Sequence, residues 1–562
     1  MITMCTAAPL VSVVPAHGIP PRRVVRRPAS ILRGAGEPGH AALRFAFGSY
    51  TLRAARPAPP RAAQQGELLV NPVVGSAQGL LDLVVGEVAH GGWCVAREPG
   101  DSAEVGGRVV FVRHALPGER VLARITDATA RFARADAVQI LVASPDRVEP
   151  GCRHARPGGC GGCDWQHASL DAQRRLKAAV ISQQLRRIAG IEREVTVEPL
   201  PGDDGGLHWR TRVRFAIRPD GVAGLRKHRS HEVLDVGDCP IAHPLVQQAG
   251  ATGQRWEGAR SVEVVAAPGS GERALIVSPA TSRPANRQAA NRRAANRRAA
   301  DLPAESPAGS PAHPATRYPA SRVAAAQEGD RQERGGKRYA SSWLERGEDS
   351  VLSAGSGGRL TPLRGHGFLR HTAAGRTWRV SAGAFWQVHP GAADALTAAV
   401  LDSLRPEPGD VALDLYGGAG LFAGVLAAAV GPQGTVACVE SDPAAVRDAK
   451  YNLRGTPWAR VYRGDAADVL ARGGWPEAGL AVLDPPRTGA ARPVIERLLA
   501  RPAGGASSGG LRRVAYVSCD PATLARDLAV FAESGWQLAA LRAFDAFPMT
   551  HHVECVATLL PG

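Results

Sequence analysis

The 562-residue sequence has few lysines, few aromatic residues and no long apolar run. Only four of its 68 basic residues are lysine, and aromatic residues make up 5% of the chain. None of its apolar stretches approaches the roughly 20 residues that a membrane-spanning helix needs. Residues 10–14 are apolar, but Pro15 interrupts them and no basic segment precedes them, which argues against a signal peptide. We therefore expect a cytoplasmic protein with no membrane partner.

The positive charge of the sequence is unevenly distributed. The net charge is +16. Nine arginines and two glutamates give residues 1–70 a charge of +7, and twelve basic and five acidic residues give residues 281–340 another +7. Both segments have low complexity and cannot bury enough apolar surface to offset the entropy of ordering. We predict a disordered extension over 1–70 and a disordered insertion over 279–345, so the basic pI alone says little about nucleic acid binding.

The rest of the chain divides into three parts by pattern. Residues 75–147 contain short apolar strands separated by Gly and Pro turns, which predicts a small OB-like β-barrel. Such barrels often bind nucleic acid, but the pattern suits a purely structural barrel as well. Residues 148–375 combine a helix with strands, which predicts a mixed α+β central domain that carries the insertion. In residues 376–562 apolar strands alternate with helices, as in a doubly wound, Rossmann-like α/β domain.

A glycine-rich turn after one of these strands predicts a nucleoside site. The segment DLYGGAG includes Gly418 and Gly420, which with Ala423 satisfy the pattern G-x-G-x-x-A. Glu440 ends the next strand, where a carboxylate can accept both ribose hydroxyls of a nucleoside. Asp465 follows a further strand, where an acid could contact adenine. These features suit NAD and S-adenosylmethionine equally, so the turn alone leaves both open.

Three further residues stand where chemistry could occur. Asp484 is followed by two prolines, which fix the backbone and limit loop motion. Cys519 follows the next strand and precedes a helix, whose N-terminus we expect to favour the thiolate. Glu554 lies among apolar residues of the last strand, so we expect burial to raise its pKa toward acid–base work near neutrality. Each residue alone also suits a structural role. NAD chemistry, however, does not explain why all three occur together.

Several motifs carry a resemblance to a known family. They are CGGCDWQH, FWQVHP, LDLYGGAGLF, VESDP, LDPPRTG, VSCDPATLARDL and FPMTHHVE. With them, residues 75–278 and 346–562 resemble the RNA 5-methyluridine methyltransferase family, which has an N-terminal TRAM domain. Two positions depart from the family pattern: Leu421 stands where the family can use a polar side chain, and Met549 replaces a common histidine.

The resemblance implies methyl transfer from S-adenosylmethionine to carbon 5 of a uridine in tRNA or rRNA, by a monomer. Carbon 5 is a poor nucleophile, and addition of a thiolate at carbon 6 activates it. Cys519 would form this adduct, Asp484 would hold the ring and Glu554 would remove the carbon 5 proton. The uridine would have to be flipped out or single-stranded. The residues implied at the cofactor are Gln387, Tyr416, Gly418, Gly420, Glu440, Asp465 and Asp484.

The cysteines also follow a pattern. Of nine cysteines, Cys152, Cys160 and Cys163 cluster, which is not typical of a disulfide scaffold and favours a metal site. With Cys239 they resemble the [4Fe-4S] ligands of the family, although the gap between the first two is longer than in part of it. Spacing does not separate a cluster from tetrahedral zinc, so zinc is the alternative.

Three other functions are compatible with parts of this pattern. An NAD-dependent oxidoreductase would use the glycine-rich turn but not Asp484 or Cys519. An RNA-binding protein with a degenerate methyltransferase fold would have no need of an intact Cys519, Asp484 and Glu554. An RNA cytosine 5-methyltransferase is closer, but that chemistry usually places its cysteines differently.

Overall fold

A computed structural model describes residues 79–99, 107–280, 349–355, 359–500 and 510–562. The predicted extension over 1–70 and almost all of the predicted insertion over 279–345 lie outside the described residues. Among the helices that the structure describes, none combines the length and apolar character needed to cross a membrane.

Six strands near the N-terminus form the first sheet, here called the barrel sheet, in the order β1-β5-β6-β4-β3-β2. The strands are β1 (Leu80–Val84), β2 (Val88–Ala89), β3 (Trp93–Arg97), β4 (Val109–Arg113), β5 (Arg120–Ala128) and β6 (Phe132–Val142). Burial alternates along β4 and β6, as expected for a sheet with one face on a core, and Val110, Val112 and Ala133 point inward. Trp165, from the segment that follows, packs into the same core. The core of the barrel sheet is therefore completed from outside it.

A short helical region and a second sheet, here called the central sheet, follow. The helical region comprises α1 (Leu170–Gln184) and a π-helical turn (Leu185–Ala189), and it precedes β7 (Val197–Glu198). The central sheet has the order β10-β9-β8-β11-β12-β13-β14. Its strands and the short helix α2 are β8 (Arg212–Ile217), β9 (Ala223–Arg226), β10 (Val233–Leu234), α2 (Pro244–Gln248), β11 (Ala259–Ala267), β12 (Glu272–Pro279), β13 (Ser350–Ala354) and β14 (Leu360–Arg364). Strands β12 and β13 are parallel neighbours, so the predicted insertion joins two strands of one sheet.

The third sheet, here called the C-terminal sheet, has the order β19-β18-β17-β20-β21-β23-β22-β7. A hairpin of β15 (Phe368–Ala373) and β16 (Arg376–Ser381) precedes it. Its remaining elements are α3 (Ala392–Leu404), β17 (Val411–Leu415), α4 (Leu421–Val430), β18 (Thr435–Glu440), α5 (Pro443–Asn452), β19 (Ala459–Arg463), α6 (Ala466–Arg472), β20 (Leu480–Leu483), α7 (Arg492–Leu499), β21 (Arg513–Ser518), α8 (Pro521–Glu533), β22 (Trp536–Phe544) and β23 (Glu554–Pro561). Two apolar clusters cover its two faces, which confirms the doubly wound α/β fold.

The strand directions in the C-terminal sheet bring the predicted site together. Strands β17 to β21 are parallel, so their carboxyl ends meet at one edge of the sheet. The last hairpin departs from the parallel pattern, because β23 runs antiparallel to both β21 and β22. Cys555 pairs with Ser518, so the first residue of β23, Glu554, arrives beside the residue that follows β21, Cys519.

Candidate active site

A cleft of about 1110 Å³ lies at the carboxyl edge of the C-terminal sheet. It is lined by all three predicted catalytic residues and by all but one of the predicted cofactor residues: Gln387, Tyr416, Gly418, Glu440, Asp465, Asp484, Cys519 and Glu554. Gly420 is the exception. It is the residue before α4, with φ +88°, and a Cβ there would lie 3.4 Å from Ala449. Its position therefore reflects helix packing in the left-handed region rather than contact with the cleft.

The glycine-rich turn fits a nucleoside cofactor. The N–H of Gly418 donates to Oε2 of Glu440 at 2.8 Å, and the N–H of Asp442 donates to Oε1 at 2.7 Å. Carboxylate oxygens accept more than one hydrogen bond, so Glu440 is held in place with capacity left for ribose hydroxyls. Gly418 has φ +54°, and a Cβ on it would meet no protein atom within 4 Å. A side chain at Gly418 would therefore take up space in the cleft, which leaves room for a cofactor only if the residue is glycine.

The neighbouring positions are fixed by contacts of their own. A Cβ on Gly417 would lie 2.3 Å from the sulfur of Cys438, so this position also requires glycine. Tyr416 has φ +66°, and its hydroxyl donates to the carbonyl of Ala490 at 3.0 Å. Asp465 caps α6 by accepting from a backbone N–H at 2.9 Å. These contacts hold the cleft wall in shape without any ligand.

Two carboxyl groups stand close together at the catalytic end of the cleft. Burial raises the pKa of Asp484 to about 7. Burial also raises the pKa of Glu554 well above its ordinary value, and the nearby charge of Asp484 adds to this shift while Arg487 opposes it. The predicted direction for Glu554 therefore agrees with the structure. A carboxyl whose pKa lies near neutrality, as that of Asp484 does, can exchange protons during a reaction at neutral pH.

The thiol of Cys519 behaves differently from the expectation. Burial raises its pKa to about 12, and the nearby carboxylates of Glu554 and Asp484 act in the same direction, whereas Arg487 opposes the rise. Asp520, rather than Cys519, caps the N-terminus of α8. The Asp520 carboxylate accepts from the first N–H groups of α8 at 3.1 and 2.9 Å. The expectation that the helix favours the thiolate was wrong for the free protein.

Arg487 is a site residue that the sequence reasoning missed. Its side chain acts to lower the pKa of the Cys519 thiol and lies 3.4 Å from Nε2 of His552. It follows the two prolines after Asp484, so the signal was present in the same motif. A guanidinium beside a thiol favours the thiolate, which makes Arg487 the cation positioned to stabilise an ionised Cys519.

Segments far away in the sequence complete the cleft wall. The barrel sheet, the central region and the segment after β16 contribute aromatic and charged side chains that were not predicted as site residues: Trp93, Arg113, Asp164, Trp209, His228 and Phe385. Trp93 lies 6.3 Å from the ring of His228 and has Arg113 at 5.8 Å from its ring centre. Aromatic rings beside cations are suited to bases and phosphates.

The four predicted metal ligands line a second cavity, of about 240 Å³. All of Cys152, Cys160, Cys163 and Cys239 face it. Within the described ranges, no three Cys, His, Asp or Glu side chains already stand in the arrangement of a single metal ion. Burial raises the pKa of Cys163 far above its ordinary value, while a hydrogen bond from Gln166 to its sulfur at 3.2 Å opposes the rise. The structure thus places the four thiols along the wall of one cavity.

Family models match three parts of the chain. The model described as TRAM domain matches residues 81–138, and the model described as tRNA (Uracil-5-)-methyltransferase matches residues 478–560. The model described as Protein-L-isoaspartate(D-aspartate) O-methyltransferase matches residues 387–499, which contain the glycine-rich turn. The first lies within the predicted barrel segment, and the second contains all three predicted catalytic residues.

Known proteins resemble the chain over nearly their whole length. An uncharacterized RNA methyltransferase of Streptomyces avermitilis is 45% identical, over 86% of this chain and 98% of the relative. The 23S rRNA (uracil(1939)-C(5))-methyltransferase RlmD of Pseudomonas entomophila is 33% identical, over 83% of this chain and 93% of the relative. The solved Pyrococcus abyssi tRNA (uracil-54, C5)-methyltransferase, in complex with S-adenosyl-L-homocysteine, aligns with a TM-score of 0.57 and 19% identity over 86% of this chain and 100% of that chain, which supports the fold. The chain belongs to the RNA 5-methyluridine methyltransferase family, whose enzymes transfer a methyl group from S-adenosylmethionine to carbon 5 of uracil.

Proposed function

We propose that the protein methylates carbon 5 of a uridine in RNA through a covalent adduct between Cys519 and carbon 6 of the uracil. The observation that supports this most is the convergence of Cys519, Asp484 and Glu554 in the cleft that also holds the cofactor residues. These residues come from three different strand ends, and a purely structural role gives no reason for a thiol, two carboxyls and a guanidinium to meet there.

The adduct solves a problem of reactivity. S-adenosylmethionine, when bound, supplies an electrophilic methyl group. The Cys519 thiol loses its proton to solvent, and its sulfur then bonds to carbon 6. The electron pair of the carbon 5–carbon 6 double bond moves into an enolate, whose carbon 5 can accept that methyl group. Arg487 stabilises the ionised sulfur, and Asp484, with its raised pKa, can hydrogen bond to the uracil ring in its neutral form. Glu440, Gly418, Tyr416 and Gln387 hold the nucleoside part of the cofactor.

Release of the product needs a base. After methylation, carbon 5 carries both the methyl group and its original proton. Glu554 takes that proton, the carbon 5–carbon 6 double bond re-forms, and the Cys519 sulfur leaves. Burial of Glu554, which is 4% exposed, raises its pKa and makes its carboxylate a stronger base once ionised.

A [4Fe-4S] cluster, held by Cys152, Cys160, Cys163 and Cys239, is part of the proposal. A single zinc ion draws four sulfurs to about 2.3 Å from one point, which would close most of the space between them. All four thiols line one cavity of about 240 Å³, which has room for more than one atom. We therefore propose the cluster and keep zinc as the alternative. It would serve structure or RNA positioning, because the proposed reaction has no redox step.

The substrate is proposed to be 23S rRNA. The RlmD relative acts by name on uracil 1939 of 23S rRNA and matches this chain at 33% identity, whereas the tRNA enzyme of Pyrococcus abyssi matches at 19%. Ribosomal RNA is therefore the first substrate to test and tRNA the comparison. The protein is proposed to act as a cytoplasmic monomer.

The test is Glu554→Gln. The amide cannot accept the carbon 5 proton, but adduct formation and methyl transfer do not require that base. We expect a methylated protein–RNA conjugate to accumulate and to survive a denaturing gel. The conjugate should be absent from the double variant Glu554→Gln/Cys519→Ala, which has no sulfur to form it.

A folded Glu554→Gln protein that binds RNA and cofactor and releases methylated RNA at the normal rate would refute the role of Glu554. Nucleoside analysis of the trapped RNA identifies the modified base. Methylcytidine instead of methyluridine would overturn the assignment to uracil, and binding with no methyl transfer by the wild-type protein would favour a degenerate fold.

A further inference from the structure

The loop between β22 and β23, residues 545–553, leads directly into Glu554. It contributes Thr550, His551 and His552 to the cleft wall, so its shape sets both the wall and the position of the proposed base. Few of its contacts lie within the C-terminal sheet. Most of its polar contacts reach back to residues 164–177, near the start of the central region.

Both backbone polar groups of Met549 form hydrogen bonds with residues outside the loop. Its N–H donates to Oε1 of Gln173 at 2.7 Å, and its carbonyl accepts from the N–H groups of Asp164 and Trp165 at 2.9 and 3.1 Å. Met549 has φ +67°, a left-handed conformation that a side chain makes costly. The loop keeps this conformation because partners from another part of the chain satisfy both of its backbone polar groups. Gln173 is itself fully buried, and its Nε2 donates to the carbonyl of Ala168 at 2.9 Å.

Lys177 holds the beginning of the same loop. Its ammonium donates to Oδ1 of Asp545 at 2.5 Å and to the carbonyl of Phe547 at 3.0 Å. Lys177 and Asp545 are 1% and 2% exposed, so both charges have been removed from water. A lysine is almost never fully buried unless it is paired, because an ammonium that loses its hydration needs a partner to compensate.

Gln173 and Lys177 are one helical turn apart on α1, so they face the loop from the same side. The loop residues that they contact lie 368 to 376 positions further along the chain. A helix could pack on this loop with apolar side chains, at lower cost than a buried ammonium. The polar contacts instead fix the direction and spacing of backbone groups, which apolar packing does less well.

The contacts continue from the loop to the nucleophile. The ring of His551 lies 2.6 Å from the Asp164 carboxylate and 4.1 Å from the ring of His552. His552 approaches Arg487 at 3.4 Å, and Arg487 lines the cleft together with Cys519. A displacement of Met549 would therefore move both the residues before Glu554 and the side chains that reach the thiol.

We propose that Gln173 and Lys177, through Met549, Phe547 and Asp545, are positioning residues that hold the loop of residues 545–553 so that Glu554 meets the carbon 5 proton. This inference rests on the proposed role of Glu554 as the base. It adds that helix α1, outside the C-terminal sheet, governs the release step of the reaction.

The test is Gln173→Leu, which keeps the size of the side chain and introduces no charge, but removes the acceptor for the Met549 N–H. Lys177→Met/Asp545→Asn is the second variant, because it removes the ammonium without leaving a buried carboxylate unpaired. In single-turnover reactions, methyl transfer and release of RNA from the conjugate are timed separately. We expect release to slow by about tenfold or more relative to methyl transfer, because small misplacements of a catalytic group are costly.

The matched control is Glu119→Gln. Glu119 is also fully buried and pairs with Arg147, but it lies outside the cleft. We expect this variant to lower thermal stability and to leave the ratio of release to methyl transfer unchanged. A purely structural role of α1 would reduce the active fraction of Gln173→Leu and leave that ratio unchanged as well, which would overturn the inference.

Glu554→Gln, run in parallel, separates the two proposals. Trapping by Glu554→Gln together with normal release by both α1 variants refutes positioning and leaves the base in place. Normal release by Glu554→Gln removes the base and with it the inference. Slow release by both α1 variants and trapping by Glu554→Gln support the two together.

Discussion

Cys519 is placed where its thiol resists ionisation, although the proposed reaction consumes the thiolate. Burial and two neighbouring carboxyls raise its pKa to about 12, and Arg487 supplies the opposing influence. A thiol that remains protonated in the free enzyme is protected from oxidation and from unrelated electrophiles. On this reading, Cys519 becomes reactive when the uracil ring engages the carboxyls that oppose its ionisation, so activation is coupled to substrate binding.

The raised pKa has a measurable consequence for the free protein. Since the thiolate reacts and is the minor form well below pH 12, alkylation of Cys519 by iodoacetamide should rise about tenfold per pH unit. We expect no plateau between pH 6 and pH 10. Mass spectrometry of the peptide that contains Cys519 measures the rate separately from the other cysteines.

Arg487→Gln removes the group that opposes the rise in the pKa of Cys519, so alkylation of Cys519 should become slower at each pH. Arg454→Gln is the control, because Arg454 lies over the ring of Tyr451 and does not line the cleft. A plateau near pH 7 in the wild-type protein would mean a thiol of low pKa and would restore the original expectation for the helix N-terminus.

At the scale of elements, the sequence predicted which strand ends matter. Alternation of apolar strands and helices predicted a doubly wound sheet, and that topology puts Glu440, Asp484 and Cys519 on one edge. The antiparallel return of β23, which brings Glu554 to Cys519, is a matter of strand direction that local periodicity does not report. Pairs such as Gln173 and Met549, 376 positions apart, are likewise invisible to a pattern that registers only which face is buried.

The cysteine cavity joins separate elements, so its metal is expected to matter for folding. Anaerobically purified protein should be brown and contain about four irons per chain. Serine at Cys152, Cys160, Cys163 or Cys239 should release the iron and lower the unfolding temperature, because the cavity would lose the group that links its walls.

Cys94→Ala is the control for this loss. Cys94 is buried in the core of the barrel sheet, away from the cavity, so its replacement should leave the iron content unchanged. Metal analysis and the visible absorption spectrum measure the result. Colourless wild-type protein with one zinc per chain would refute the cluster and favour zinc.

At the scale of the whole molecule, the barrel sheet belongs to the active site as well as to the surface. His90, in the turn before β3, lies 3.1 Å from the carboxylate of Asp520, the residue after the proposed nucleophile Cys519. Hydrogen bonds from His90 and Thr523 lower the pKa of Asp520 to about 2, although burial acts to raise it. A Cβ on Gly92 would lie 3.0 Å from His551, so the same turn packs closely on the cleft wall. The barrel sheet therefore forms part of the wall beside Cys519.

The predicted insertion carries much of the positive charge of the sequence but has no predicted fold. Residues 281–340 hold twelve basic and five acidic residues, and we predict that the segment is a passive connection. The structure constrains how to remove it. Ser350 pairs with Ala274 in the parallel ladder of β12 and β13. Any connection from Ala280 to Asp349 must therefore span the length of about seven strand residues, roughly 23 Å.

A bare deletion would leave eight residues for this crossover, fewer than the dozen or so that parallel strands usually need. We therefore replace residues 281–340 with a flexible linker of about twelve Gly and Ser residues. The variant should fold, and its rate of methylation of a minimal RNA at low salt should stay near that of the wild type. The control keeps the full length and changes Arg287, Arg292, Arg293, Arg297 and Arg298 to Ala. If the insertion binds phosphates, both variants should show a shallower dependence of affinity on salt. A large loss of the single-turnover methylation rate in the linker variant alone, with affinity preserved, would show that the insertion belongs to the active site and that the passive role is wrong.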